Sequence, residues 1–327
     1  MRDAWIVVVC LASCGPNRHD GGTCDSDPSC NNIDAAPADS CPAVQFTAKP
    51  TTPTIELLID QSLSMSSAFG ATTRYKAVQD ALVAPGTGVV TELEASAYFG
   101  ATLFTSALTC PALQLVPRAI NNSAAISAMI AANGPGLYTP TGDAITAVIA
   151  DFAAHPPPAG SPPFIVLATD GIPNTCQNPL DETNGSIIAV AAAKAAFAAG
   201  IKLVVLSVGP DTSIPNLQAM ANAGAGVQPG QPDAPYYQGD DPQSLADAFK
   251  QIIGGVLSCD LSLSGQIDPA SAMDGTVTLD GMTLTYGTDW IIVNGTTIEI
   301  LGAACMKLQN TPNSVVEAAF PCTAVIL

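Results

Sequence analysis

The chain has 327 residues, which is enough for one large domain and a small one. Hydrophobic residues make up 48% of it, and this apolar content excludes disorder along the whole length. Its 28 acidic and 10 basic residues give a formal net charge of −18, and the basic residues are scattered, so we expect no nucleic-acid partner.

The first residues predict an export signal. Arg2 precedes an apolar run, residues 4–11, that is too short to span a bilayer as a helix. Residues 11–14, Leu-Ala-Ser-Cys, resemble a bacterial lipobox, which implies cleavage before Cys14 and acylation of that cysteine. We therefore expect a lipoprotein signal peptide over residues 1–13 and a membrane anchor on the mature chain. A signal peptide without a lipid and a misassigned start codon are the alternatives.

Residues 14–43 predict a flexible, cysteine-containing tether, because they are rich in Asp, Asn, Pro, Ser and Gly. Gly15 follows the acylated cysteine. In bacterial lipoproteins, the absence of Asp at this position implies sorting to the outer membrane. The expected location is therefore the cell envelope, with the chain lipid-anchored on the periplasmic or the surface face of the outer membrane.

Strands and helices alternate from residue 54 onward. Apolar runs predict strands at residues 54–60, 97–104, 164–168 and 201–208. Apolar side chains at helical spacing predict helices around Tyr75, Val78 and Leu82, around Ile145, Val148, Ile149 and Phe152, over residues 187–199, and around Leu245, Phe249, Ile252 and Ile253. This order predicts a doubly wound, mostly parallel α/β sheet, in which ligands bind at the carboxyl ends of the strands.

After Cys259 the pattern changes to short alternating segments. Asp280-Gly281 and Asn294-Gly295 each separate two such segments, which is a strong hairpin signal. We expect an α/β domain over residues 44–258 and a small all-β domain over residues 259–327.

Three polar segments stand at a predicted strand end or helix start. They are residues 60–65 (DQSLSM), 139–144 (TPTGDA) and 169–171 (TDG). Because parallel strands share an orientation, all three should meet at one edge of the sheet. Each segment alone has an ordinary interpretation as a turn or a helix cap. Their coincidence, in order and on the predicted elements, favours an ion site.

Together the segments resemble the metal-ion-dependent adhesion site of the von Willebrand factor type A family, whose pattern is Asp-x-Ser-x-Ser, then Thr, then Asp. The resemblance spans roughly residues 50–258. Leu63 departs from it, because family members often have Gly there. The resemblance implies that the serines coordinate the ion directly, the aspartates directly or through water, and the threonine in a way that depends on conformational state. The implied ligands are Asp60, Ser62, Ser64, Thr141 and Asp170.

Oxygen ligands suit a hard ion, so we expect Mg²⁺, or else Mn²⁺ or Ca²⁺. Only two of the ligands are carboxylates, which leaves the ion able to accept an Asp or Glu from a protein partner. The resemblance also implies that the last helix, residues 245–256, shifts between states. The predicted function is adhesion or protein binding by a cell-envelope lipoprotein.

Two alternatives remain open. In one, the ion only stabilises a structural envelope protein, and in the other an ion-activated water serves a metal-dependent hydrolase. We expect no enzyme, because neither His19 nor His155 is placed as a base for a serine nucleophile and the chain has no phosphate loop. Asp240-Asp241 is better interpreted as a solvated turn before a helix than as a catalytic pair.

Ten cysteines without Cys-x-x-Cys spacing favour disulfides in an oxidising compartment. Loss of Cys10 with the signal peptide and acylation of Cys14 leave an even number. Since the two ends of a type A domain lie close together, the resemblance favours a Cys41–Cys259 pair. The other expected pairs are Cys24–Cys30, Cys110–Cys176 and Cys305–Cys322, and different connectivities stay open.

Overall fold

A computed structural model describes residues 44–47, 49–50, 52–210, 214–257, 259–311 and 314–326, with only the backbone at residues 44–50, 310 and 322. The predicted signal peptide, the tether and the cysteines Cys14, Cys24, Cys30 and Cys41 lie outside the described residues. Within these ranges no helix is both long and apolar enough to cross a membrane.

The strands are β1 (Val44–Thr47), β2 (Lys49–Pro50), β3 (Thr54–Asp60), β4 (Ala68–Phe69), β5 (Thr72–Thr73), β6 (Tyr98–Thr105), β7 (Ala112–Ala119), β8 (Pro163–Thr169), β9 (Lys202–Val208), β10 (Tyr237–Gly239), β11 (Asp260–Ser262), β12 (Gln266–Ile267), β13 (Thr276–Leu279), β14 (Met282–Leu284), β15 (Trp290–Val293), β16 (Thr297–Ile300), β17 (Val316–Phe320) and β18 (Val325–Ile326). The α-helices are α1 (Arg74–Val83), α2 (Val89–Leu93), α3 (Ser123–Ala132), α4 (Thr141–Ala154), α5 (Glu182–Ala198), α6 (Ile214–Ala225), α7 (Pro242–Val256) and α8 (Gly302–Asn310). Short 3₁₀ helices span Leu63–Ser66, Pro269–Asp274 and Cys322–Ala324.

The central sheet has six strands in the order β10-β9-β8-β3-β6-β7. All neighbours are parallel except β6 and β7, which pair antiparallel at one edge. Strand β3 lies inside the sheet and is buried along its whole length, as expected for an apolar run with helices on both faces. The prediction of a doubly wound, mostly parallel α/β fold is confirmed.

Side chains alternate between the two faces of this sheet. Ile55, Leu57 and Ile59 of β3 pack in the layer that contains α1, α2, α3 and α7. Leu58 packs in the opposite layer, which contains α4, α5 and α6. The period-two alternation of β3 therefore supplies both apolar cores from one strand.

One charged residue, Glu56, lies on β3 among these apolar side chains. Its carboxylate accepts hydrogen bonds from the Thr102 hydroxyl at 2.7 Å and from Arg118 Nη1 at 2.9 Å. Nη1 of Arg118 also lies 2.7 Å from an Asp151 oxygen, and the guanidinium stacks over the Phe152 ring at 3.9 Å. Burial raises the pKa of Glu56 to about 7, although Thr102 and Arg118 both act to lower it.

The second domain consists of small antiparallel sheets, as predicted, ordered β1-β17-β13-β14, β15-β16-β11-β2 and β12-β18. Its core surrounds Trp290, whose ring meets that of Phe320 edge to face at 6.0 Å. The predicted hairpin turns are present, with positive φ at Asp280-Gly281 and at Asn294-Gly295. The domain also contains helix α8, so it is not all-β as the sequence predicts.

The chain passes through the second domain before it enters the first. Strand β1 pairs with β17, and β2 pairs with β11, so residues 44–50 complete two sheets of the second domain. In sequence, the six-stranded sheet and its helices are therefore inserted between these strands and β11, while the predicted domain boundaries stay a prediction. Strands of four and two residues are too short to give a periodic signal in the sequence.

Two disulfide bonds are present among the described residues. Cys110 is bonded to Cys176, as predicted, with the Cα atoms 5.3 Å apart. Cys259 is bonded to Cys305, which corrects the predicted Cys41–Cys259 and Cys305–Cys322 pairs. The fold brings these two cysteines together. The Cys259 carbonyl accepts a hydrogen bond at 3.0 Å from the amide of Ile300, the last residue of β16. Helix α8, which contains Cys305, begins two residues after Ile300.

Candidate functional site

The first predicted segment begins at the carboxyl end of β3. Asp60 is fully buried, and both of its oxygens are held, one by the Ser62 backbone amide at 2.7 Å and one by the Thr169 hydroxyl at 2.6 Å. The chain then enters a 3₁₀ turn, which brings the Ser62 and Ser64 hydroxyl oxygens within 2.9 Å of each other. The Asp-x-Ser-x-Ser segment thus turns its three polar side chains towards one another.

The third segment, after β8, meets this loop. The Ser64 hydroxyl donates to Asp170 Oδ1 at 2.6 Å, and Arg74 Nη1 donates to Asp170 Oδ2 at 2.9 Å. Hydrogen bonds therefore connect Ser62, Ser64 and Asp170, while Thr169 connects the end of β8 to Asp60. The structure brings four of the five predicted side chains together at the carboxyl edge of the sheet.

The fifth predicted residue, Thr141, is buried at the first position of α4. Two residues earlier, Thr139 exchanges hydrogen bonds with Asn174, its amide donating to the side chain at 2.7 Å and its carbonyl accepting at 2.8 Å. A β-carbon at Gly171 would lie 3.2 Å from Thr139 Oγ1 and 3.7 Å from Ser64 Oγ. The start of α4 is therefore adjacent to the loop after β8, and the glycine keeps that space open.

Burial dominates the electrostatics of the site. It raises the pKa of Asp60 to about 7, and the neighbouring charge of Asp170 contributes in the same direction. Burial also raises the pKa of Asp170, against the lowering effect of its hydrogen bonds from Ser64 and Arg74. When both acids are ionised, their two negative charges exceed the one positive charge of Arg74, and a cation would compensate this difference.

The donor set fits a hard divalent ion. Among the described residues there is no group of three or more His, Cys, Asp or Glu side chains that could hold a metal. An ion at this edge would therefore use two carboxylates, hydroxyl oxygens and water, which are ligands that Mg²⁺, Mn²⁺ and Ca²⁺ accept.

Arg74 was not predicted as a site residue from the sequence. This buried residue is the first of α1, and its guanidinium pairs with Asp170. A sequence signal existed, because a positive side chain in the first turn opposes the helix dipole and so requires another explanation. Its partner could not be found without the fold, since the two residues are far apart in sequence.

Exposed apolar side chains lie within or next to the three ligand segments in the sequence. Leu63 is 59% exposed, Leu137 56%, Tyr138 38% and Ile172 37%, and we refer to these four residues as the apolar rim. Each stands next to or close to a predicted ligand segment, and the Leu63 amide donates to the Leu137 carbonyl at 3.1 Å. The outward position of Leu63 shows that the loop accommodates a side chain where type A domains often have Gly.

No family model and no curated protein matches the chain. Solved structures do match. The pilus adhesin SpaC from Lactobacillus rhamnosus GG matches with a TM-score of 0.51 at 15% identity, covering 83% of this chain and 39% of the adhesin. The PilB minor pilin from Streptococcus sanguinis matches with a TM-score of 0.49 at 17% identity, covering 62% of this chain and 61% of the pilin.

A third match is proximal thread matrix protein 1 from the mussel byssus, solved with zinc in its metal-ion-dependent adhesion site (MIDAS) motif. The TM-score is 0.45 at 17% identity, and the match covers 67% of this chain and 51% of that protein. The chain spans less than two thirds of the length of each of these proteins. At such identities the likeness to SpaC concerns the fold alone. The six-stranded sheet with its helices is a von Willebrand factor type A-like fold.

Proposed function

We propose that this protein binds a divalent cation, Mg²⁺ or else Mn²⁺ or Ca²⁺, and uses it to bind an acidic side chain of a protein partner. The proposed ligands are Asp60, Ser62, Ser64, Thr141 and Asp170. The observation that carries the proposal is the hydrogen-bonded cluster of Asp60, both serines and Asp170 at the carboxyl edge of the sheet. When bound, the ion would supply a positive charge that attracts a carboxylate.

The chain's own residues would position this ion. The Asp60 carboxylate is fixed by its two hydrogen bonds, so little ordering is required when an ion binds. Each serine hydroxyl can rotate its proton away and present a lone pair. Because hydroxyls are weak ligands, the ion would retain the capacity to bind a further carboxylate.

The apolar rim favours partner binding over a purely structural ion. An ion that only stabilises the fold does not require exposed Leu63, Leu137, Tyr138 and Ile172 beside its ligand segments, whereas grouped exposed apolar side chains are typical of an interaction site. The partner would therefore present an Asp or Glu flanked by apolar side chains.

The proposed setting is the cell envelope, with the chain anchored through an acylated Cys14. The two disulfide bonds support an oxidising compartment. We propose an adhesive role for this chain on the basis of the site, and the match to a pilus adhesin is compatible with that role.

Thermal unfolding in chelator and in Mg²⁺, Mn²⁺ or Ca²⁺ tests the ion site. At about 100 times the dissociation constant, a bound ion adds about 2.7 kcal/mol to the free energy of unfolding, provided that the unfolded chain does not bind it. For a domain of this size, that increase raises the melting temperature by roughly 5–10 °C. Asp60→Ala should abolish the increase, because it removes a buried ligand.

Asp247→Ala is the matched control. Asp247 is an exposed acid on α7 whose carboxylate accepts a hydrogen bond from Gln243, four residues earlier on the same helix, so its removal should leave the ion-dependent increase unchanged. The absence of any increase in the wild-type protein with all three ions would contradict the proposal.

A further inference from the structure

We propose that Arg74 lowers the affinity of this site for its cation and keeps the loaded site attractive to a carboxylate ligand. The inference rests on the proposed function, because it assigns a role to a residue beside the ion rather than to an ion ligand. Arg74 would act through its positive charge, which lies next to the proposed ligand Asp170.

The geometry places the guanidinium directly on a proposed ligand. Arg74 Nη1 lies 2.9 Å from Asp170 Oδ2, and both side chains are almost completely excluded from solvent. The other oxygen of Asp170 accepts from Ser64 at 2.6 Å. One carboxylate is thus shared between a fixed positive charge and the serine loop that would bind the cation.

The fold is shaped to accommodate this guanidinium. At the end of β9, Gly209 adopts a φ of +97°, and a β-carbon there would lie only 2.9 Å from Nε and Nη2 of Arg74. The Arg74 backbone amide is also fixed, by the Ser67 carbonyl at 3.1 Å. Helix stability does not explain an arginine here, because a positive charge in the first turn opposes the helix dipole. The ion pair with Asp170 provides a reason for the arginine.

The charge balance gives Arg74 two opposite effects. With both aspartates ionised, the guanidinium reduces the summed charge of Asp60, Asp170 and Arg74 from two negatives to one, so a dication is held less tightly than without it. Once the dication is bound, the same guanidinium leaves the site with one net positive charge instead of none. A carboxylate ligand is then attracted more strongly, and burial enlarges both effects.

A merely structural role predicts a different result. If Arg74 served only to hold Asp170 in place, its loss would weaken binding of the cation and of the carboxylate together. The electrostatic role predicts that loss of Arg74 tightens cation binding and weakens carboxylate binding. The two roles therefore predict opposite changes in the affinity for the cation.

The test uses the full chain with Mn²⁺ as the cation and acetate as the carboxylate probe, both titrated by calorimetry. Arg74→Gln should bind Mn²⁺ at least about tenfold more tightly than wild type, and Arg74→Lys, which keeps the charge, should remain within about threefold. Acetate binding to the Mn²⁺-saturated protein should be weakened about fivefold or more in Arg74→Gln. If Arg74→Gln does not fold, Arg74→Met, which keeps the aliphatic stem, gives the same comparison.

Equal or weaker Mn²⁺ binding by a folded charge-removing variant overturns the inference, and so does unchanged acetate binding. Failure of the proposed function is recognised separately. In that case the wild-type protein and Arg74→Gln both fail to bind Mn²⁺, and the assignment of the site itself falls.

Discussion

At the scale of single residues, the α/β domain contains two buried pairs of an arginine and a carboxylate. Arg74 pairs with Asp170 at the carboxyl edge of the sheet, and Arg118 pairs with Glu56 within it. Removal of one partner of such a pair leaves the other charge buried and uncompensated, which is more destabilising than replacement of both. Both pairs also involve carboxyl groups whose pKa is raised by burial, so the stability of the domain should depend on pH.

Glu56 gives a pH prediction whose sign can be worked out. Its pKa in the folded protein is about 7, against an ordinary value of 4.5, so the folded state binds more protons than the unfolded state between these values. Stability should therefore fall as the pH rises from 4.5 to about 7 and then level off. The change corresponds to about 3 kcal/mol or less. Glu56→Gln should remove this part of the pH dependence.

The measurement is urea unfolding in chelator at several pH values between 4.5 and 8, comparing wild type with Glu56→Gln. Asp60 titrates in the same range, so the difference between the two proteins, not either curve alone, reports on Glu56. Glu317→Gln, at an exposed position on β17, is the control and should follow the wild type. Parallel curves for Glu56→Gln and wild type would show that folding does not raise the pKa of Glu56.

At the scale of elements, the loops at the carboxyl edge of the sheet hold the apolar rim in place. The Leu63 amide donates to the Leu137 carbonyl, and the Gly136 amide donates to the Gln61 carbonyl. The Cys110–Cys176 bond joins the loop between β6 and β7 to the loop after β8. These links should limit the motion of the rim, so that a partner binds to a largely preformed surface.

A double substitution in the rim separates partner binding from ion binding. Leu63→Ser with Ile172→Ser should leave the Mn²⁺-dependent increase in melting temperature intact, because neither side chain is a proposed ligand. A displayed random-peptide library selected on the Mn²⁺-loaded wild-type protein should be enriched in Asp or Glu flanked by apolar residues. The double variant, and the wild type in chelator, should lose this enrichment. Equal enrichment on the double variant would exclude the rim as the contact surface.

The elements that the sequence predicted are the ones with a strong periodic signal. Strand β3 was predicted with its observed bounds because a continuous apolar run between polar turns is unambiguous. Edge strand β7 was not predicted, because it is partly exposed and carries Pro117 and Arg118. Helix α8 was not predicted either, since it is short and starts within a β-rich segment.

Part of the candidate site, like part of the fold, could be predicted from the sequence. The ligand segments are contiguous motifs at two strand ends and one helix start, so their position at one edge could be inferred from the order of the elements. The contribution of Arg74 could not, because it depends on a side chain reaching from α1 to the end of β8. The Cys259–Cys305 bond likewise depends on strand neighbours that sequence spacing does not reveal.

At the scale of the whole molecule, the second domain contains strands from both ends of the described chain, because the α/β segment is inserted between them. Strand β1 lies at the edge of one sheet and β2 at the edge of another. A chain that begins at Thr52 would lack both strands and expose β17 and β11 as new edges. We expect this truncation to destabilise the second domain by about 1–3 kcal/mol through lost backbone hydrogen bonds.

Hydrogen exchange measured by mass spectrometry tests this prediction, with a chain beginning at Pro42 as the matched control. Protection should fall in β11, β13, β16 and β17, while β3 and β8 keep theirs, because neither β1 nor β2 pairs with a strand of the six-stranded sheet. The Mn²⁺-dependent increase in melting temperature should also persist in the truncated chain. An equal loss of protection in β3 and β8 would instead mean that the two domains unfold as one cooperative unit. A partner bound at the ion site would then stabilise the second domain as well.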